Sequence, residues 1–230
     1  MQRFVLGAYW SARRDELEEC VEQTRRCFAG LAAIDPLLAR WFELGRSRKN
    51  ALERDVDTRD VQALQALLLR GRNRRDIDRA VIGELGFTLN LWNGADEGID
   101  ASVRIHCGSY SERVGNSVVV DLPYRSETLE WVAKASSLLA LVARIWRPEW
   151  AGIMSKTAMR ERNFAADYPF VDWMVYVPRS IEEVPPPGCV ESIDGLGSIL
   201  IVQPHPPVGG DHAELSRIRE VENLLAVTRR

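Results

Sequence analysis

At residue 85 the spacing of apolar residues along this chain changes from three and four to two, and that switch restricts the fold more than any other feature. Ahead of it, Phe4 to Trp10 has the β-branched and aromatic character of a strand. Leu17, Val21, Thr24, Phe28 and Leu31 then predict a helix from Arg13 to about Ala33, with Ser11 as its N-cap. Asp15, Glu16, Glu18, Glu19 and Glu22 crowd its first half and Arg25 and Arg26 follow, an order that suits the helix dipole and marks a solvated face rather than a catalytic cluster. Asp35-Pro36 breaks the helix. A short buried run, Leu37 to Leu44, leads into an exposed basic loop around Arg46, Arg48 and Lys49. Thr58 is the expected cap of a second helix, whose Val61, Leu64, Leu67 and Leu68 form one face. Gly71 ends that helix before Arg72-Asn73-Arg74-Arg75.

Beyond the switch, Leu85 to Trp92, Ala101 to Cys107 and Val118 to Leu122 read as strands of an antiparallel meander, separated by Asn93-Gly94, Gly108-Ser109 and Val114-Gly115-Asn116. Ser126 is placed to cap a third helix that runs through Leu129, Val132, Leu138 and Val142 to Ile145 and stops before Pro148. Phe170 to Val177 predicts a further strand, and Val190 to Ile193 with Ser198 to Val202 a hairpin about Asp194-Gly195. A last helix spans Asp211 to about Thr228. The sum is an α+β fold: a mainly antiparallel sheet with helices packed on it, as a single domain or two tightly packed subdomains.

A hydrophobic content of 46% supplies a core for 230 residues. Thirty basic against thirty-three acidic residues leave a net charge of -3, so no global cationic field holds a phosphate backbone, and direct nucleic-acid binding is disfavoured. The opening apolar run ends by Trp10 without the features of a signal peptide, and no segment approaches a membrane span, so a soluble cytoplasmic protein is expected. The four cysteines contain no CxxC pair, and Cys20 and Cys27 fall on one helix face, which predicts buried free thiols. His106, His205 and His212 are scattered, so neither a metal nor another cofactor is expected.

Catalytic patterns fail in turn. Cys107-Gly108-Ser109-Tyr110-Ser111 is not a nucleophile elbow, and Gly195-Leu196-Gly197 is a hairpin turn with no helix behind it. His106 and Cys107 are strand neighbours that point to opposite faces and cannot exchange a proton directly. The acid pairs Asp55 with Asp57 and Asp76 with Asp78 lie in charged loops without further ligands at metal spacing. The basic run Arg70, Arg72, Arg74, Arg75 and Arg79 has no interleaved aromatics to stack on bases. No catalytic residue is therefore assigned.

Seven tryptophans stand out, and large aromatics serve as core pillars or interface anchors. Core is expected for most. Trp92 differs, because it ends a strand and opens the acidic loop Asp96-Glu97-Gly98-Ile99-Asp100, a combination suited to a basic partner. Trp92-Asn93-Gly94, with Ala33-Ile34-Asp35-Pro36-Leu37, Trp41-Phe42, Gly45, Arg46-Ser47-Arg48-Lys49, Glu84-Leu85-Gly86-Phe87, Cys107-Gly108 and Trp146 to Ala151, resembles the immunity protein 52 family. The resemblance runs from the N-terminal strand to about Trp150 and rests on a Trp-any-Gly motif and several tryptophans. It implies an α+β member of a bacterial polymorphic toxin system that binds and silences a cognate toxin with a restriction-endonuclease-like nuclease domain, often delivered by type VI secretion.

The family motif assigns no contact residues, so the interface is inferred from chemistry. A nuclease presents cations to phosphate, and an inhibitor presenting carboxylates there gains steering and blocks substrate. Trp92, Asp96, Glu97 and Asp100 form one candidate surface, and Asp167, Asp172, Glu182 and Glu183 another. Two other readings stand beside this one. An enzyme with a dispersed active site would show a pocket joining perturbed carboxylates and His106, and an adaptor of a secretion apparatus would show a large exposed apolar patch.

Overall fold

The structure is a computed structural model that describes residues 3–123, 129–209 and 211–227. The chain divides into two compact units, residues 9–123 and residues 1–8 with 124–230. Six helices and ten strands occur among the described residues, and the fold is α+β.

Strand β1 (Phe4–Trp10) contributes its last two residues to the first unit, which continues with α1 (Leu17–Ile34), β2 (Trp41–Glu43), α2 (Arg48–Leu52), β3 (Asp55–Val56), α3 (Val61–Arg70), β4 (Phe87–Trp92), β5 (Ser102–Cys107) and β6 (Asn116–Asp121). Its strands are ordered β3-β2-β4-β5-β6, each neighbour antiparallel. The period of two explains the pairing: Val103, Ile105 and Cys107 of β5 and Val118 and Val120 of β6 are buried on one face, with half-buried or exposed residues between them. Helix α1 turns Cys20, Val21, Thr24, Cys27, Phe28 and Leu31 inward and packs on α3, which packs on β4. Phe28 and Trp41 meet with ring centroids 5.5 Å apart, and the Trp41 indole donates to the Leu38 carbonyl. Gly71 closes α3 where the chain touches β4; a Cβ there would lie 1.7 Å from the Thr88 carbonyl oxygen, so no other residue fits.

The second unit holds the start of β1, then α4 (Leu129–Trp146), β7 (Trp150–Ser155), α5 (Lys156–Glu161), β8 (Met174–Val177), β9 (Cys189–Ile193), β10 (Gly197–Ile201) and α6 (His212–Val227). Its strand order is β1-β7-β8-β10-β9, with antiparallel ladders from β7 through β9. β7 and β8 are buried throughout, as a strand covered on both faces must be, and α4 lies against β7, β8 and β10. Phe4, Trp131 and Trp173 form an aromatic cluster with centroids 5.3–6.2 Å apart.

Several boundaries differ from the sequence expectation, each for a local reason. Residues 11–16 are not helical: Arg13 donates its N–H to the Ser109 carbonyl, and α1 starts four residues later than expected, at Leu17, without a side-chain cap. Asp60, not Thr58, caps α3 by accepting from the Gln62 N–H. The basic loop contains a short helix, α2, capped by Ser47. Leu44 ends the expected buried run 58% exposed. β7 and α5 have no counterpart in the expectation, and β8 begins four residues after Phe170. Cys189 is exposed, while Cys20, Cys27 and Cys107 are buried. The expected cap Ser126 and the expected end of the last helix at Thr228 lie outside the described residues.

Candidate partner-binding surface

In the first unit the loop joining β4 to β5 is held by one side chain. Asn93, 8% exposed, donates its amide to the carbonyls of Leu37 and Ile99, and its carbonyl accepts from the N–H groups of Ala95 and Ala101. A single buried amide therefore satisfies backbone groups at both ends of the loop and ties it to the chain ahead of β2. Gly94 follows at φ +76, and a Cβ there would lie 2.4 Å from the Phe42 ring. Both the left-handed backbone and the contact require glycine. Asp100 accepts from the Gly98 N–H and closes the turn. The Asn93-Gly94 pair thus shapes the loop that begins at Trp92.

Trp92 is the exception among the tryptophans. Trp10, Trp41, Trp131, Trp146, Trp150 and Trp173 are all buried, whereas Trp92 is half-buried beside Phe42 at 6.4 Å. The Arg48 guanidinium lies 5.9 Å over its ring and makes a 2.5 Å ion pair with Asp96, both partners being more than half exposed. Sequence reasoning did not pair Arg48 with Asp96, since nothing in local spacing links the loop ahead of α2 to the loop after β4. Asp96 is consequently neutralised in part, Asp100 faces the loop's own backbone, and Glu97 is the exposed carboxylate of the three that no side chain meets among the described residues. Ile99, 48% exposed, and Leu52, 41% exposed, add apolar area in the same unit.

The other four acids lie in the second unit. Asp167, Glu182 and Glu183 are exposed, the first next to Tyr168, which borders a groove along α6, and Glu183 borders another groove along the same helix. Asp172 does not join them. It is 3% exposed, its Oδ2 accepts the Ser155 N–H at 2.7 Å, and it lines a 320 Å³ cavity with Glu214, Arg162 and Ile218. Burial pushes its pKa up to about 6, against the Ser155 hydrogen bonds and the Arg162 charge, which lower it, while Glu214 raises it. Asp172 preceded β8 closely enough to pass for a strand residue, and only the fold shows that it faces inward.

The side chains considered for catalysis are engaged otherwise. His106 Nε2 meets the Leu85 carbonyl at 2.7 Å. The Cys107 thiol is held well above its ordinary pKa by hydrogen bonding with Cys20 and by burial, so it is a protonated core group rather than a nucleophile. Asp55 pairs with Arg40 and Asp78 with Arg75. Among the described residues no group of three His, Cys, Asp or Glu side chains is placed to hold a metal ion, and no helix is long and apolar enough to cross a membrane.

No curated protein matches the chain by sequence. A solved structure described as Pseudomonas aeruginosa T6SS protein PA0821 shares its fold, with a TM-score of 0.51 at 13% identity, covering 96% of this chain and 74% of that one. The sequence likeness that opened at the Trp-Asn-Gly turn extends across nearly the whole chain: the immunity protein 52 family matches residues 2–226, and this protein belongs to that family.

Proposed function

We propose that this protein protects the bacterium that makes it by binding a cognate toxin, a nuclease with a restriction-endonuclease-like domain, in the cytoplasm, as part of a polymorphic toxin system delivered by type VI secretion. Membership of the immunity family supports a toxin as partner. The type VI context draws on the fold shared with the Pseudomonas aeruginosa T6SS protein PA0821. The nuclease follows from what the family resemblance implies.

The observation that carries the proposed interface is the half-buried Trp92 on a loop that Asn93 fixes in place while every other tryptophan is buried. An aromatic side chain held in this way meets a partner with little ordering cost, and binding hot spots are enriched in tryptophan. Arg48 and Asp96 would form a polar rim, and Glu97 would supply the free carboxylate for a cationic nuclease face. Asp167, Glu182 and Glu183 remain a second candidate surface. Asp172 could act only through its cavity.

Trp92→Ala tests the loop, because the side chain is partly outside the core. Loss of a central tryptophan anchor costs about 2 kcal/mol or more, a roughly thirtyfold weakening by calorimetry with the purified toxin. Affinity equal to that of the wild type would remove the loop from the interface.

A further inference from the structure

We propose that the cavity between α5 and the first turns of α6 receives one alkylguanidinium or alkylammonium side chain from a basic protein surface, with Asp172 as its buried counter-ion.

Four carboxylates, from Asp172, Glu161, Glu214 and Glu222, line this cavity against two guanidinium groups, from Arg162 and Arg219. The acids are not equivalent. Glu214 is largely satisfied, accepting from Gln203 Nε2 and from the backbone N–H groups of Val208 and Gly209. Glu222 is engaged by Arg162, whose other terminal nitrogen donates to the Val171 carbonyl. Asp172 is different: it is 3% exposed, and Ser155 is the one residue that supplies its hydrogen bonds among the described residues. A carboxylate has room for about four. Acceptor capacity is therefore left over in a buried group that borders open space.

That arrangement is not needed to hold the fold. Capping the Ser155 N–H requires only a carbonyl oxygen, which a neutral asparagine would offer without the cost of burying a charge. Arg162 faces Asp172, but its terminal nitrogens are engaged by the Val171 carbonyl and Glu222, so the spare acceptor capacity of Asp172 is open to a cation that enters from outside. Ala158, Pro207, Leu215 and Ile218 give the cavity apolar walls suited to an aliphatic stem, the way Lys and Arg chains lie along apolar surface with the charge at the tip. Its 320 Å³ sits at the small end of the range of about 300–1,000 Å³ for ligand pockets, enough for a side chain. In a site shielded from water a single ion pair is far stronger than on the surface.

The groups facing Asp172 are Ser155 at the end of β7, Arg162 after α5 and Glu214 on α6. With its carboxyl titrating near 6, the counter-ion is charged at neutral pH and neutral below that, so cation affinity falls on acidification. The side-chain source rests on the toxin-binding proposal; the cation preference of the cavity does not.

The test uses the full chain and ethylguanidinium chloride as probe, followed by amide NMR at neutral pH and about one unit below the Asp172 pKa, with ethylurea as neutral control. Saturable shifts at Ser155 and Asp172 are expected, roughly tenfold weaker at the lower pH, where about one carboxyl in ten is charged. They should be weakened at least tenfold and lose pH dependence in Asp172→Asn. Glu161→Lys, an exposed change that places a tethered cation at the cavity, should weaken them as well. Equal shifts with ethylurea, or none with either probe, would overturn the proposal whatever the toxin does. A cavity that binds ethylguanidinium while both variants bind the toxin as tightly as the wild type would overturn the side-chain source in favour of a free small cation. If the wild type itself fails to bind the toxin, the immunity reading and the side-chain source fall together, and the probe titration still decides the cavity.

Discussion

Replacing Asp172 by asparagine gives the sharpest physical prediction, because the effect changes with pH. The carboxyl titrates at about 6 in the folded protein against 3.8 for the ordinary group. That gap of about two units corresponds to about 3 kcal/mol at 1.36 kcal/mol per unit. The sign follows from proton binding. Between the two pKa values the native state holds the proton and the unfolded state has lost it, so stability falls as pH rises through this window. Below 3.8 the residue carries no penalty, and above about 6 the folded protein bears the full cost of a buried charge. Asparagine keeps an acceptor for the Ser155 N–H and never ionises. Relative to the wild type, Asp172→Asn should therefore gain about 2–3 kcal/mol between roughly pH 4 and pH 7.5, read from urea unfolding midpoints across that range. Parallel stability curves for the two proteins would show that Asp172 is not held in a site that penalises its charge, and would refute the reasoning.

Other consequences follow from the loop and the thiols. Asn93→Ala strands the buried Ala101 N–H and other backbone groups, and should cost roughly 3 kcal/mol of unfolding free energy in urea titrations. Gly94→Ala combines a positive φ with a Cβ 2.4 Å from Phe42, so it should lower both thermal stability and toxin affinity, visible as a reduced Tm and a faster off-rate. Glu97→Lys should slow association with a cationic toxin and flatten its dependence on salt in stopped-flow measurements, leaving stability within about 0.5 kcal/mol. Alkylation of the native protein should modify Cys189 first, since the other three thiols are buried, and mass spectrometry would count one adduct before unfolding and four after it.

Elements with a strong period were legible in the sequence. The face of α1, the β4 to β6 meander, the β9–β10 hairpin and the core placement of most tryptophans all follow from apolar spacing and turn residues. What escaped has physical reasons. β7 reads Trp-Ala-Gly-Ile-Met-Ser, buried at every residue, and so lacks the alternation that marks a half-exposed strand. α2 and α5 span five and six residues, too short to show a helical face. Thr58 and Asp60 are both good caps, and local sequence does not choose between them.

The candidate surface divides in the same way. Trp92 was distinguished by its place between a strand and an Asn-Gly turn, and the structure leaves it as the one half-buried tryptophan. The net charge of its loop was not readable, because Arg48 reaches Asp96 only through the pairing of β2 with β4. Asp172 looked like its exposed acidic neighbours in composition, and its burial depends on β7 and α6, elements distant from it in sequence.

The central claim is that the chain neutralises a toxin by binding it, and co-expression with the toxin encoded beside it tests this most directly. Growth rescue and co-purification should be measured on the same cells, with Trp92→Ala as the comparison. The account predicts rescue with a stable complex for the wild type, and weaker rescue with less co-purified toxin for the variant at matched soluble expression. A wild-type chain that neither binds nor rescues against that toxin would contradict it.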